Sequence, residues 1–286
     1  MGLFNNNYDK DKKIRELIEK YKGGKLNIFI IGAGALANFV AISIANLKLG
    51  RITIFDHDKV EETNLNRQVL YFDAVGAHKA SALKKKLKEI STKNIYSYEL
   101  KLFDLITGKK YFRWFGDKPD IMIDCVDNFE TRALLNKFAT KYKIPLISGG
   151  TSPLAGQVVV YFPGITSCLN CELDIERLAE ERERQREGCT DVPEGSVVTT
   201  NQIIGGIMVG ELHRLLNGIK LFPGVIKYIS SDDDRVAFVP NGKEKPCICH
   251  TNYVKIEAKI TREKIDIPAS SPFLKKIKSF FIEEEV

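Results

Sequence analysis

Ile28-Phe29-Ile30-Ile31-Gly32-Ala33-Gly34-Ala35-Leu36-Ala37 passes from an apolar run through two glycines into small helix formers, and Ile52-Thr53-Ile54-Phe55 restores the apolar run before Asp56-His57-Asp58. Two short apolar runs flanking a helix-compatible stretch read as a β-α-β unit. Gly32 and Gly34 let the backbone turn tightly and approach a phosphate, and Ala37 is small enough for the helix to lie close on its strand. Asp56 stands 22 residues after Gly34, where a carboxylate can bond a ribose. A nucleotide site follows from this unit, but the kind of nucleotide does not.

Before it, Ile14, Leu17, Ile18 and Tyr21 recur at helical spacing within 9–21, and Gly23-Gly24 ends the pattern. After it, 35–49 reads as the crossover helix, stopped by Gly50, and 77–90 carries an apolar stripe of Ala80, Leu83, Leu87 and Ile90. That stripe leaves Lys84, Lys85, Lys86 and Lys88 on the solvated side, whereas Lys79 falls in the first turn, at the mouth of the sheet. Strands are expected at 96–100, 120–126 and 145–148, with a helix over 129–142. Alternating strands and helices predict an α/β fold with a doubly wound, mostly parallel sheet. Beyond Gly156 the runs 157–162, 226–229 and 236–239 read as added antiparallel strands, and between the first two lie a charged helix over 174–187 and an apolar, glycine-studded helix over 200–216. The tail has one more expected strand at 253–260 and a short helix after Pro272.

With 286 residues, 44% of them hydrophobic, the chain can bury the core of one large domain. No window reaches the ~18 uninterrupted apolar residues of a membrane span. Residues 1–13 lack the apolar centre of a signal peptide, and Asn6 stands where a myristoylation signal needs Ser or Thr. A cytoplasmic location is therefore expected. The net charge of +6 is spread as mixed lysines and acids, which suits solubility better than a nucleic-acid surface. Six cysteines in such a chain suggest metal or catalysis more than disulfides.

The ligand's charge separates the nucleotide classes. Backbone amides can hold the two charges of a pyrophosphate, whereas a triphosphate with magnesium calls for added cations and an acid. Arg67 and Lys79 suit phosphate oxygens, and Asp127, after the apolar run 120–126, suits Mg²⁺. Taken singly, each has an ordinary alternative: a surface ion pair for Arg67, solvation for Lys79, helix capping for Asp127. An NAD-dependent oxidoreductase could use the same β-α-β unit, but nothing here resembles a hydride-transfer site. A scaffold that only binds a partner would not need these three residues together with Asp56.

The runs Gly32–Ala37, Asp56-His57-Asp58, Asn64-Leu65-Asn66-Arg67-Gln68, Lys79, and Asp124-Cys125-Val126-Asp127-Asn128 with Arg132 and Asn136 resemble the adenylation domain of the ThiF/MoeB/HesA group. That group includes the ubiquitin-activating enzymes, and the pattern here is most similar to the activator of the ubiquitin-fold modifier. The resemblance covers about 10–250, leaving 251–286 as a C-terminal extension. It implies a homodimeric, Rossmann-like domain that uses ATP and Mg²⁺ to adenylate the C-terminal glycine of a β-grasp protein, either ubiquitin-like or a sulfur carrier. Carried over, Gly32 and Gly34 form the phosphate loop and Asp56 holds the ribose. Asn64, Arg67 and Lys79 serve the phosphates, Asp127 holds the magnesium, and Gln68 and Asn128 belong to the same cofactor-binding set. The arginine that some relatives donate from the partner subunit has only Arg15, Lys12 or Lys13 as counterparts.

Cys168-x-x-Cys171 and Cys247-x-Cys249 bracket the second half, and four thiolates from two distant turns would close a structural Zn²⁺ site. His250 follows Cys249, so either can be the fourth ligand. Cys189 lies outside these pairs, in the segment 172–200 where thioester-forming relatives carry their reactive cysteine. The resemblance therefore implies two readings. One is adenylation followed by a thioester on Cys189 and transfer to a conjugating enzyme. The other is a sulfur-carrier adenylyltransferase that passes its product to a sulfur donor without an obligatory thioester.

Overall fold

A computed structural model of the chain describes residues 12–100, 118–186, 195–230 and 235–240. The chain divides into two compact units, Met1–Cys249 and His250–Val286, and every described residue belongs to the first. In chain order its elements are α1 (Lys12–Lys22), β1 (Asn27–Ile31), α2 (Ala35–Ile44), β2 (Arg51–Phe55), a 3-10 turn (Glu62–Asn64), α3 (Lys79–Ile90) and β3 (Asn94–Tyr98). There follow β4 (Ile121–Asp124), α4 (Phe129–Tyr142), β5 (Leu146–Thr151), β6 (Ala155–Tyr161), α5 (Leu169–Leu173), α6 (Ile175–Arg186), α7 (Val198–Leu216), β7 (Gly224–Ile229) and β8 (Arg235–Pro240).

The strands form one sheet in the order β3-β2-β1-β4-β5-β6-β7-β8. The first five are parallel, and β6, β7 and β8 add to them antiparallel. The expected doubly wound sheet with an antiparallel extension is thus what forms. The expected strand at 253–260, the helix after Pro272, and the extension 251–286 lie outside the described residues.

Period-two alternation fills both faces. Ile28 and Ile30 point with Ile52, Ile54, Ile121 and Ile123 into one apolar cluster, beneath α2, α3 and α7. Phe29 and Ile31 point with Phe55 and Met122 into the other, beneath α4, α5 and α6. Side chains of this size stabilise by about 1.5–3 kcal/mol each when fully buried, so these central strands anchor the molecule. Helix α2 carries no charge because it is sandwiched between the sheet and α7, where a Cβ on Gly205 would stand 3.0 Å from that of Phe39. Helix α1 crosses the amino ends of the strands, held by Lys20 to Asp120 at 2.5 Å and by Lys13 donating to the Lys143 carbonyl.

Three local expectations shift. The crossover helix ends at Ile44 rather than Leu49, because the chain must turn to bury Leu49 and bring Gly50 against the Lys25 backbone. There a Cβ on Gly50 would meet Lys25 atoms at 2.9 Å. Ile90 is exposed at the end of α3, its place in the buried stripe taken by Ala82. Lys86 is not free in solvent: it pairs with Asp73 at 2.9 Å and Glu89 at 3.6 Å, with Phe72 against it.

Order β3-β2-β1-β4-β5 reverses between β1 and β4, and ligands bind in such a sheet at the carboxyl ends flanking the reversal. Gly32 follows β1 there at φ +89°, and a Cβ on it would lie 2.7 Å from the Cys125 carbonyl oxygen at the end of β4. Gly34 has φ −80° and nothing within 4 Å of a Cβ. Gly32→Ala should therefore destabilise the protein by about 2 kcal/mol or more, from left-handed strain and the clash. Gly34→Ala should stay within about 0.5 kcal/mol of the parent. Urea denaturation of the two variants checks the pair; equal losses would contradict it.

Candidate functional site

The mouth of the cleft is built around the loop Gly32-Ala33-Gly34. Its following helix, α2, has Gly34 as its N-cap, with no side-chain cap and no acid in the first turn. The unpaired amides at such an end carry about half a positive charge and favour an anion. The open space over Gly34 is where a phosphate oxygen would fit.

Three segments converge on this loop. From the end of β2, Asp56 accepts the Ala33 N–H at 2.6 Å and the Asp58 N–H at 2.7 Å. Burial pushes the Asp56 carboxyl up, against the opposing pull of these two amides. The ribose acceptor expected from sequence therefore also braces the loop. Asp58 pairs with Lys79 Nζ at 3.0 Å, and Lys79 is the first residue of α3, as expected. His57 Nε2 lies 3.2 Å from Asp58.

The second segment is Asn64–Tyr71. Asn64 is buried, and its side-chain oxygen caps the 3-10 turn by accepting the Glu61 N–H at 3.1 Å. Arg67 is folded back, donating to the Thr63 carbonyl at 3.1 Å and the Asn66 side chain at 2.9 Å. Gln68 is 4% exposed, and its Oε1 is buried with no partner, an orphaned acceptor of the kind a polar ligand satisfies.

The third segment follows β4. Asp124 is fully buried, accepting from Ser148 Oγ at 2.6 Å and the Val126 N–H at 3.0 Å, with Arg132 Nε at 3.2 Å. Burial raises its pKa, and the Arg132 charge opposes the rise. Arg132 also donates to the Val126 and Gly149 carbonyls at 2.5 and 2.7 Å, so the turn before α4 is held from within. On that turn Asp127 is exposed, its nearest recorded bond being from Asn128 at 3.4 Å. Asn128, not Asp127, caps α4, accepting from the Thr131 N–H at 2.8 Å. Helix capping is thus removed as an explanation of Asp127, and Asn128 is tied to structure. Asp127 keeps carboxylate oxygens open for a hard cation such as Mg²⁺.

Sequence reasoning missed Tyr71 and Asn38. Tyr71, fully buried, donates to the Ala33 carbonyl at 2.6 Å, and Asn38 links the Gly34 carbonyl to the Leu70 N–H at 3.1 Å on each side. A lone Asn within the charge-free helix α2 was the available signal. Cys125 is buried beside Asp124, and burial pushes its thiol well up, so it is no nucleophile.

Away from the cleft, Cys168 is fully buried at the N-terminus of α5, and Cys171 lies one turn on, its N–H bonded to the Cys168 carbonyl at 3.0 Å. Asn136 bonds the Leu169 N–H at 2.9 Å and brings its amide nitrogen 3.7 Å from Cys168 Sγ. An N–H directed at sulfur is what a thiolate ligand accepts, so this half-site suits Zn²⁺. Cys247, Cys249 and His250, and the candidate nucleophile Cys189, lie outside the described residues.

The ThiF family model matches residues 16–248. Ubiquitin-like modifier-activating enzyme 5 of Drosophila willistoni is 25% identical over 261 residues, 86% of this chain and 64% of that protein. Adenylyltransferase and sulfurtransferase MOCS3 of Aedes aegypti is 35% identical over 150 residues, 51% of this chain and 32% of its own. UBA4 of Meyerozyma guilliermondii, described in the same words, is 30% identical over 238 residues, 82% and 54% of the two chains. This chain therefore spans between about a third and two thirds of these relatives. The crystal structure of E. coli MccB with ATP superposes with a TM-score of 0.63 at 20% identity, covering 83% of this chain and 74% of that one, and shares the fold. A match running from α1 past β8, over every element that builds the cleft, means that the chain belongs to the ThiF family.

Proposed function

We propose that the protein activates a small β-grasp protein, ubiquitin-like or sulfur-carrying, by using ATP to adenylate its C-terminal glycine. The observation that carries this reading is the uncapped, open amino end of α2 over Gly34, ringed by the segments bearing Arg67, Lys79 and Asp127. A terminal carboxylate is ionised at neutral pH, so no general base is needed. What it needs is charge neutralisation and in-line placement against the α-phosphorus, with pyrophosphate as the leaving group.

Each residue has a part in that step. The Gly34 loop amides cradle phosphate, Arg67 and Lys79 exchange their internal acceptors for phosphate oxygens, and Gln68 supplies a buried acceptor. Asn64 holds the turn that carries Arg67, and Asn128 the turn that carries Asp127. Asp56 accepts from the ribose with the lone pairs the loop leaves unused. Asp127 would hold Mg²⁺, which when bound offsets the charge of the departing pyrophosphate. We place the protein in the cytoplasm as a homodimer; no helix among the described residues is long and apolar enough to cross a membrane. Lys13 donates to the Lys143 carbonyl at the amino ends of the strands, away from the cleft.

A second step follows in the leading reading. The Cys189 thiolate attacks the acyl adenylate, AMP leaves, and a thioester ready for a conjugating enzyme remains. The extent of likeness to ubiquitin-like modifier-activating enzyme 5, 86% of this chain, supports it. The higher identity to MOCS3, 35%, favours the alternative in which the adenylate passes to a sulfur donor. We read Cys168, Cys171, Cys247 and Cys249 or His250 as ligands of a structural zinc; the Asn136 amide facing Cys168 supports the part of that set that is described.

Replacing Arg67, Lys79 or Asp127 by alanine should each lower pyrophosphate–ATP exchange by about a hundredfold or more, with the melting temperature nearly unchanged. Exchange at the parental rate in all three would overturn the reading. Cys189→Ala should keep the exchange and lose the covalent adduct with the β-grasp partner on a non-reducing gel; an adduct that persists overturns the assignment to Cys189, and no adduct in the parent protein selects the alternative. Elemental analysis should find about one zinc per chain, and Cys168→Ser should release it with loss of thermal stability.

A further inference from the structure

The peptide planes of the glycine loop are fixed from inside by two side chains to which no role has been assigned. Tyr71 donates its hydroxyl hydrogen to the Ala33 carbonyl at 2.6 Å, and Asn38 donates to the Gly34 carbonyl at 3.1 Å. Both residues are fully buried. A trans peptide is planar, with its N–H directed opposite to its C=O. Holding the Ala33 carbonyl inward therefore turns the Gly34 N–H outward, to the open side above Gly34; the Gly34 carbonyl, and with it the Ala35 N–H, is already set by the first bond of α2, from the Asn38 N–H at 3.2 Å, which the Asn38 side chain reinforces. The same pair joins the loop to the turn carrying Arg67. Tyr71 is four residues from Arg67, and Asn38 accepts the Leu70 N–H at 3.1 Å.

We infer that Tyr71 is a positioning residue for triphosphate binding: its hydroxyl, backed by Asn38, aims the loop amides at the phosphates and sets the Arg67 turn against them. This rests on the reading of the cleft as an ATP site. It assigns Tyr71 no contact with the adenosine half of the nucleotide and no proton transfer. Tyr71→Phe removes one oxygen atom and leaves the ring packed, so only the aim of the amides is relaxed.

The test is calorimetry on the full-length chain with two probes, the magnesium complex of a non-hydrolysable ATP analogue and adenosine alone. Tyr71→Phe should weaken the triphosphate analogue by about threefold to tenfold, the worth of one buried hydrogen bond, and leave adenosine binding unchanged. A general loosening of the fold would weaken both together. An unchanged affinity for the analogue, or equal losses for both probes, overturns the assignment. Should the parent protein bind neither probe, it is the ATP reading that fails, and the positioning role falls with it. If Tyr71→Phe does not fold, Asn38→Ala, which keeps the helix bond to the Gly34 carbonyl and removes the Leu70 link to the Arg67 turn, is read by the same split.

Discussion

The contact on which this molecule turns is between two pieces of backbone. At the point where the strand order reverses, the loop leaving β1 runs against the carbonyl leaving β4, so close that Gly32 has no room for a side chain. That approach fixes the spacing of the two turns that bear the loop amides and Asp127. The buried isoleucines of β1, β2 and β4 keep those strands in register and so hold the approach in place. Core packing and site geometry are here one constraint rather than two.

A second layer is polar. Arg132 lies within α4 with its charge directed inward, toward Asp124 and the Val126 and Gly149 carbonyls. Breaking such a buried pair from one side costs about 3–5 kcal/mol, because the remaining charge is stranded. Replacing the pair whole by apolar groups would leave the Val126 and Gly149 carbonyls and the Ser148 hydroxyl without these partners, so its value lies in fixing the turn. A Cβ on Gly150 would stand 2.7 Å from Arg132 Nη1, which ties β5 to the same arrangement. One turn further along α4, Asn136 reaches the Cys168 turn. A single helix thus braces both the cleft and the Cys168 turn.

Much of this was legible in the sequence because it depends on local pattern. Two apolar runs, a glycine turn and a terminal acid specify β1, α2, β2 and Asp56 within thirty or so positions. Lys79 at the head of α3 followed from the apolar stripe of that helix. The inward bonds of Tyr71, Asn38 and Arg132 were not legible, because each depends on partners brought near only by the sheet, as between Tyr71 and Ala33. The same holds for Lys86, which looks solvated on its own helix and meets Asp73 from another segment. The early end of α2 belongs here too: helical propensity continues past Ile44, and burial of Leu49 overrides it. Asp127 is the instructive intermediate. Its position at a strand end was readable, yet only the Asn128 cap separated it from an ordinary helix start.

Lys79 and Arg67 both have partners within the protein, Lys79 a carboxylate and Arg67 oxygens of its own turn. The pair of Lys79, 12% exposed, and the half-exposed Asp58 is worth on the order of 1 kcal/mol, a small toll for a ligand with several negative oxygens but a real one for a singly charged ion. The cleft therefore has a built-in threshold. Chloride or a lone carboxylate meets side chains that have little to gain by letting go, whereas a polyphosphate repays the exchange several times over. Under the proposed function, selectivity for charge density arises before any base or sugar is recognised.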